Sequence, residues 1–180
     1  MNERLLALLR DRSFARKRVV LASGKESDFF IDCKQTALTA EGHVLIGELM
    51  FAEAQKLRVV AVAGVELGGC PLASAVAQTS FQKGAPLDAV YVRKAAKDHG
   101  SQRMVEGNTR LAAGARIALL EDVVTTGGST IRAMQTLKDA GYEVAGVLAL
   151  VDRLEGGREA IENAGTTMTA LYTRRDFIPD

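Results

Sequence analysis

The chain has 180 residues, of which 47% are apolar and 25% are charged, and its net charge is +1. This length and composition are typical of one globular domain with its own core. A balance of 23 basic and 22 acidic side chains argues against a general binder of nucleic acid or of membrane surfaces.

The cysteines and the apolar runs indicate the compartment. Cys33 and Cys70 lack the short spacing of a metal site, and a pair of cysteines does not make a disulfide framework, so we expect reducing conditions. The N-terminal stretch MNERLLALLRDR places charges around a very short apolar core, which predicts an amphipathic helix rather than a signal peptide. The longest apolar runs are too short to cross a bilayer. We therefore expect a cytosolic protein with no membrane partner, folded as a single domain over 1–180.

The predicted elements alternate along the chain. In chain order they are a helix at 3–11, an extended segment at 18–33 around a Ser-Gly turn, a helix at 40–56, a strand at 59–64, a helix at 71–80, strands at 87–92 and 116–121, a helix at about 129–140, a strand at 143–151, a helix from about 155 and a closing strand, TTMTALY. The central strands are apolar on both faces. This pattern predicts an α/β fold, with a doubly wound, mainly parallel sheet flanked by helices. Ligands of such folds bind at the carboxyl ends of the strands.

The strand at 116–121 runs into the stretch EDVVTTGGST. Glu121 and Asp122 are expected at the carboxyl edge, and the small, hydroxylated residues 125–129 lead into a helix. Backbone N–H groups of a glycine-containing loop at a helix N-terminus form a phosphate site. The loop lacks the pattern of a Walker A motif or of a GxGxxG loop. Two carboxylates would repel a phosphate beside them. They are therefore expected to face sugar hydroxyls, a Mg²⁺ ion or a carbon that develops positive charge. The alternative is a capped helix N-terminus with acidic residues at a strand end.

A long segment without an apolar period, 93–114, follows the strand at 87–92. Such a segment in a compact domain is functional or wrongly assigned. Its start concentrates four basic side chains, Arg93, Lys94, Lys97 and His99. Beside a phosphate site, a mobile lid with these cations would neutralise a diphosphate leaving group and exclude water. The alternative is a solvated surface loop.

Two further strand ends carry candidate ligand groups. The stretch VAGVELGGCPLASAVA places a glycine-rich turn before a helix that starts near Pro71, which predicts either a second anion-binding loop or a structural turn. The strand at 143–151 ends in Asp152 and Arg153. Such a pair is often a surface ion pair of little consequence, but an arginine fork also suits a planar carboxylate.

These motifs resemble a known family. EDVVTTGGST resembles the phosphoribosyl-diphosphate (PRPP) motif of type I phosphoribosyltransferases, with Glu121 where the family usually has Asp. VRKAAKDHG is similar to the lid of orotate phosphoribosyltransferases, and hypoxanthine and adenine transferases do not carry it. LASGKESDFFIDCK resembles the family's N-terminal segment, whose alternative interpretation is a plain β-hairpin with two core aromatics. The motifs span 21–158 in the family's order, and the chain is identified as a member of the orotate phosphoribosyltransferases.

The resemblance implies the roles of individual residues. PRPP binding is implied for Arg93, Lys94, Lys97, His99, Glu121, Asp122, Val123, Val124, Thr125, Thr126, Gly127, Gly128 and Ser129. A catalytic role is implied for Lys97, His99 and Asp122, and orotate binding for Lys25, Phe29, Phe30, Thr125 and Arg153. Residues 1–36 would form a hood on the substrate side, and 93–114 a flexible lid loop. Some members have a lysine where Gly68 stands, so here a diphosphate contact would come from the backbone N–H groups of 67–69.

The resemblance also implies the reaction, which is transfer of the 5-phosphoribosyl group of PRPP to orotate in pyrimidine biosynthesis. Mg²⁺ would be held mainly through PRPP and water, without a direct protein ligand, and the enzyme would be a homodimer that shares its lid between subunits. Two alternatives remain. A transferase for another base is opposed by the lid string and by Arg153, and a non-catalytic PRPP-sensing regulator would not need the lid cations.

Overall fold

The structure is a computed structural model that describes residues 1–20, 26–95, 104–107 and 109–178. The helices of these residues are α1 (Asn2–Arg12), α2 (Lys34–Ala37), α3 (Ala40–Lys56), α4 (Gly69–Gln82), α5 (Gly128–Asp139), α6 (Gly157–Asn163) and α7 (Arg174–Phe177). The strands are β1 (Phe14–Val20), β2 (Glu26–Ile31), β3 (Ala61–Val65), β4 (Asp88–Val92), β5 (Val105–Glu106), β6 (Arg116–Val124), β7 (Glu143–Asp152) and β8 (Met168–Thr173).

One sheet organises the molecule, with the strand order β5-β4-β3-β6-β7-β8. All its neighbouring strands are parallel except β5, which pairs antiparallel with β4. Every residue of β3 is buried, as expected of a strand covered on both faces. The predicted α/β fold with a mainly parallel sheet is confirmed.

Each face of the sheet has its own hydrophobic core. Along β6, Ala118 and Leu120 belong to the core beneath α3 and α4, whereas Ile117 and Leu119 belong to the core beneath α5 and α6. This alternation follows from the two-residue period of a strand. Both cores hold the carboxyl ends of β3, β6 and β7 side by side, and these ends form the edge where the candidate site lies.

A separate antiparallel pair, β1 and β2, lies within the segment predicted as the hood, 1–36. The ring centroids of Phe14 and Phe29 lie 5.2 Å apart, and they lie 5.5 and 5.6 Å from that of Phe177 in α7. Tilted and edge-on aromatic packing of this kind stabilises beyond the area that it buries. The N-terminal hairpin is therefore fixed to the C-terminal end of the described chain.

Two differences from the predicted elements bear on the site. The strand predicted at 116–121 continues to Val124, because Val123 and Val124 still pair with β7. The segment predicted to lack secondary structure, 93–114, contains β5, which pairs with Tyr91 and Val92. In the described part of the chain, no helix is both long and apolar enough to cross a membrane.

Candidate active site at the carboxyl edge of the sheet

Two adjacent carboxylates lie at the end of β6. Glu121 is 5% exposed and accepts a hydrogen bond from the Ser129 hydroxyl at 3.0 Å. Burial, and then the charge of Asp122, raise the pKa of Glu121 to about 7. Burial also raises the pKa of Asp122, and the nearby Lys34 opposes this rise. Burial therefore disfavours full ionisation of the pair, as expected of two carboxyl groups in one poorly solvated site.

The loop after β6 has the geometry of an anion site. Gly127 adopts φ of 79° and caps α5, which begins at Gly128. A side chain at 127 would be strained by this left-handed backbone and would also meet the carbonyl of Gly157. The first N–H groups of a helix have no partner within it, and Gly128 and Ser129 at the start of α5 are partly exposed, as an anion site requires.

The other residues of the predicted phosphate loop differ in what they offer. The side chain of Val124 is buried in the core, and its carbonyl accepts the Arg153 backbone N–H at 3.0 Å. Val123 and Thr125 are partly exposed, and Thr126 is exposed. Val124 therefore has no side-chain surface for a ligand, whereas Thr125 and Thr126 keep hydroxyls near the edge.

Asp122 connects the acid pair to the glycine-rich turn after β3. Its carboxylate lies directly over Gly68, where a Cβ would collide with it. Lys34, which follows β2, forms an ion pair with Asp32 at 2.6 Å and is close enough to Asp122 to influence its pKa. Three segments that are distant in the sequence therefore meet at this carboxylate.

The base of the predicted lid is joined to the same turn. The backbone N–H of Lys94 donates to the Glu66 carboxylate at 3.0 Å, and the N–H of Glu66 donates to the Val92 carbonyl at 2.9 Å. Arg93 is partly buried and lies 3.8 Å from a carboxylate oxygen of Glu106 in β5. Arg93 and Lys94 are thus positioned beside the turn at 66–69. Lys97 and His99 lie outside the described residues.

Arg153 brings the hood to the end of β7. Its side chain is buried, and Nη2 donates to the Phe29 carbonyl at 3.2 Å and lies 2.9 Å from Glu155 Oε1. The guanidinium carbon is 5.4 Å from the Phe29 ring centroid. The structure thus brings the N-terminal segment next to the end of β7. From the sequence, these were two separate candidate regions.

The two aromatics of the hood occupy different environments. The Phe29 ring has no exposed surface and packs in the core, which is the alternative that the sequence left open for it. Phe30 is partly exposed, and the Lys17 ammonium lies 3.8 Å from its ring centroid. Of the two aromatics, only Phe30 is therefore accessible to solvent. Lys25 lies outside the described residues.

The sequence analysis missed two residues of this edge. The Glu66 carboxylate accepts a hydrogen bond from the backbone N–H of Lys94, at the base of the predicted lid. Its position directly after a buried strand, like that of Glu121, could have indicated this residue. Lys34 lies near Asp122 and has no comparable signal, because only the fold brings α2 to the end of β6. Across the ranges that the structure describes, no three His, Cys, Asp or Glu side chains form a metal cluster. Glu121 and Asp122 offer carboxylate oxygens, the kind of ligand that hard cations prefer.

Known proteins share this architecture. The sequence model of the Phosphoribosyl transferase domain matches residues 36–169. A protein of Sorangium cellulosum named orotate phosphoribosyltransferase is 67% identical over 99% of this chain and 94% of its own length. Orotate phosphoribosyltransferase of Mycobacterium tuberculosis H37Rv, solved in complex with Fe(III) dicitrate, has a TM-score of 0.84 and 37% identity over 98% of both chains. A structure of the same enzyme in complex with PRPP has a TM-score of 0.79 and 31% identity over 98% of this chain and 90% of that chain.

The family match covers most of the chain, and the relatives are matched over almost their full length. The fold, the acid pair and the loop at the end of β6 agree with the resemblance seen in the sequence. This chain belongs to the orotate phosphoribosyltransferase family.

Proposed function

We propose that this enzyme transfers the 5-phosphoribosyl group of PRPP to orotate, giving orotidine 5′-monophosphate and diphosphate in pyrimidine biosynthesis. The observation that carries the proposal is one sheet edge at which an acid pair, a loop that opens a helix and a buried arginine meet. The Mycobacterium relative whose structure contains PRPP supports the choice of donor. The names of the relatives support the choice of acceptor.

In the proposed reaction, a ring nitrogen of orotate attacks the anomeric carbon of PRPP. The bond from this carbon to the diphosphate oxygen breaks, and the electron pair leaves with diphosphate, while the nitrogen loses its proton. Such displacements pass through an oxocarbenium-like state. No protein nucleophile is required, so the tasks of the protein are positioning and charge stabilisation.

The acids and the loop would hold the two ends of the ribose phosphate. Glu121 and Asp122 would bind the ribose hydroxyls, close to the developing positive charge. The backbone of 123–129 and the hydroxyls of its threonines and serine would bind the 5-phosphate. The buried position of Glu121 and its bond to Ser129 support this division, because they orient one carboxylate next to the loop.

Orotate would bind between the hood and the end of β7. Arg153 is held there by the Phe29 carbonyl, and its fork suits the carboxylate of orotate. Thr125 and Phe30 are partly exposed and are proposed as further contacts, together with Lys25. For Phe29, the buried ring supports a role in holding Arg153.

The lid and the subunit arrangement complete the proposal. Arg93 and Lys94 stand at the base of the lid, and we assign to them, with Lys97 and His99, the neutralisation of the diphosphate. We propose a cytosolic homodimer of single-domain subunits, each with its hood at 1–36 and its lid at 93–114, in which a lid also serves the neighbouring subunit.

Mg²⁺ fits the donors of this edge. Hard cations prefer carboxylate, phosphate and water oxygens, and Glu121 and Asp122 offer carboxylates beside the proposed ribose position. We propose that the ion is held mainly by PRPP and water, and its chemistry is to offset the charge of the leaving diphosphate.

The test is a comparison of acceptor bases. Diphosphate release from PRPP is measured with Mg²⁺ and, in separate reactions, orotate, uracil, adenine and hypoxanthine. Release with orotate alone supports the proposal. Release with another base assigns a different transferase activity, and PRPP binding without release with any base assigns a sensor.

A further inference from the structure

A pocket of about 340 Å³ lies between the ends of β3 and β4 and the first turns of α5. Its walls include Lys94 from the lid base, Ser129 from the loop after β6 and Arg132 from α5. Two of these residues belong to the proposed PRPP site, so the pocket is continuous with that site. Arg132 is the residue to which neither the motifs nor the proposed mechanism gives a role.

The Arg132 side chain folds back toward the start of its helix. A Cβ built on Gly128 would lie 3.6 Å from Arg132 Nη1, so the guanidinium stands over the first residue of α5. Side chains of a helix lean toward its N-terminus, and residues three or four positions apart share a face. The cation is therefore on the same face as Gly128 and Ser129.

Arg132 is exposed, and its position over the helix start favours an anion over a further cation. The N-terminus of a helix carries partial positive charge and disfavours a cation. The first turn of α5 contains no acidic residue. Among the described residues, Arg153 and Arg158 of the same edge pair with carboxylates at 2.9 and 3.3 Å, whereas Arg132 forms no such pair.

We propose that Arg132 is a further phosphate-binding residue of this enzyme and contacts the 5-phosphate of the phosphoribosyl group. The assignment rests on the proposed function, in which the loop at the start of α5 takes this phosphate. The 5-phosphate is favoured over the diphosphate because Arg132 and the loop after β6 lie together at the start of α5. The turn at 67–69, which the resemblance implies for the diphosphate, lies instead against Asp122 at Gly68.

The choice of phosphate makes the proposal testable, because PRPP and orotidine 5′-monophosphate share only the 5-phosphoribosyl part. Calorimetry measures the Kd of PRPP, of the nucleotide and of free diphosphate for the wild type and for Arg132→Gln. We expect the variant to raise both phosphoribosyl Kd values by the same factor, on the order of tenfold, and to leave the diphosphate Kd unchanged. Arg132→Lys should recover part of the loss.

The controls separate binding from folding. Lys138→Gln changes a basic residue in the last turn of the same helix and should leave all three Kd values unchanged. The melting temperature of ligand-free Arg132→Gln should equal or exceed that of the wild type, since a cation is removed from a helix N-terminus.

Three results would overturn the assignment. Equal Kd values for Arg132→Gln and the wild type mean that the guanidinium does not contact the ligand. A loss restricted to PRPP and diphosphate moves the contact to the leaving group. A wild type that binds neither PRPP nor the nucleotide removes the proposed function, and this assignment with it.

Discussion

The carboxylate of Asp122 rests on the backbone of Gly68, in the space that a Cβ at position 68 would take. The acid at the end of β6 and the turn after β3 are therefore one unit. A lysine at position 68, which some family members carry, would displace Asp122 in this chain. The observed position of the Asp122 carboxylate therefore requires glycine at position 68.

This contact predicts the effect of one methyl group. Gly68→Ala should lower kcat/KM for PRPP by about tenfold or more, because a displaced Asp122 no longer holds the ribose. In an Asp122→Ala background, the same substitution should have little further effect, since the colliding carboxylate is gone. Steady-state kinetics of the two single variants and the double variant measure the coupling. Losses that simply multiply would show that Gly68 does not act through Asp122.

The buried acid predicts a pH-dependent stability. The pKa of Glu121 is raised from 4.5 to about 7, so the folded chain holds this proton more tightly than the unfolded chain. The resulting stabilisation is complete below pH 4.5 and is lost as the pH rises toward 7. Glu121→Gln removes this ionisation. The free energy of unfolding of the variant, relative to that of the wild type, should therefore increase by roughly 2–3 kcal/mol from pH 5 to pH 8.

Urea denaturation of the ligand-free proteins across this pH range measures the difference. Glu159→Gln, at an exposed glutamate of α6, is the matched control and should follow the wild type. If Glu121→Gln also runs parallel to the wild type, the carboxyl group of Glu121 does not ionise in this window.

The buried guanidinium predicts a selective effect on one substrate. Arg153→Lys keeps the charge but loses the fork, so the KM for orotate should rise by about tenfold or more while the KM for PRPP changes little. Arg158→Lys is a matched control, because Arg158 lies 3.3 Å from the buried Asp152 carboxylate and should affect stability rather than orotate binding. An unchanged KM for orotate would remove Arg153 from the substrate site.

Lid sharing predicts complementation between two inactive variants. Lys97→Ala removes a lid cation and Asp122→Asn removes an acid, and each should lower turnover strongly without lowering the melting temperature. In a mixed dimer, the subunit with native acids receives the native lid of its neighbour. An equal mixture that exchanges subunits should therefore regain about a quarter of the wild-type activity. If each lid serves its own subunit, the mixture stays inactive.

Much of the fold could be predicted from local pattern. The helical period predicted α3 at 40–56, and the apolar runs located β3, β4, β6 and β7 within a few residues. These features depend on short stretches whose apolar faces repeat with the period of their element. Glu121 and Asp122 were located at the carboxyl edge for the same reason.

The remainder depends on contacts between distant segments. Phe29 rather than Phe30 enters the core because of the pairing of β1 with β2 and the contact with Phe177. The burial of Phe29 therefore could not be deduced from its neighbours in the sequence. The bond from Lys94 to Glu66 and the approach of Lys34 to Asp122 exist only once the sheet is assembled. The short strand β5 is defined by its partner, Tyr91 and Val92, rather than by its own two residues.

The most direct test is the loss of orotate absorbance on mixing orotate, PRPP and Mg²⁺ with the wild type and with a Glu121→Gln, Asp122→Asn double variant. We expect rapid loss with the wild type and a rate lower by roughly 10²–10³-fold with the variant, because its acids no longer stabilise the developing charge. No loss with the wild type would contradict the proposed reaction. Equal rates would show that the chemistry does not take place at this edge of the sheet.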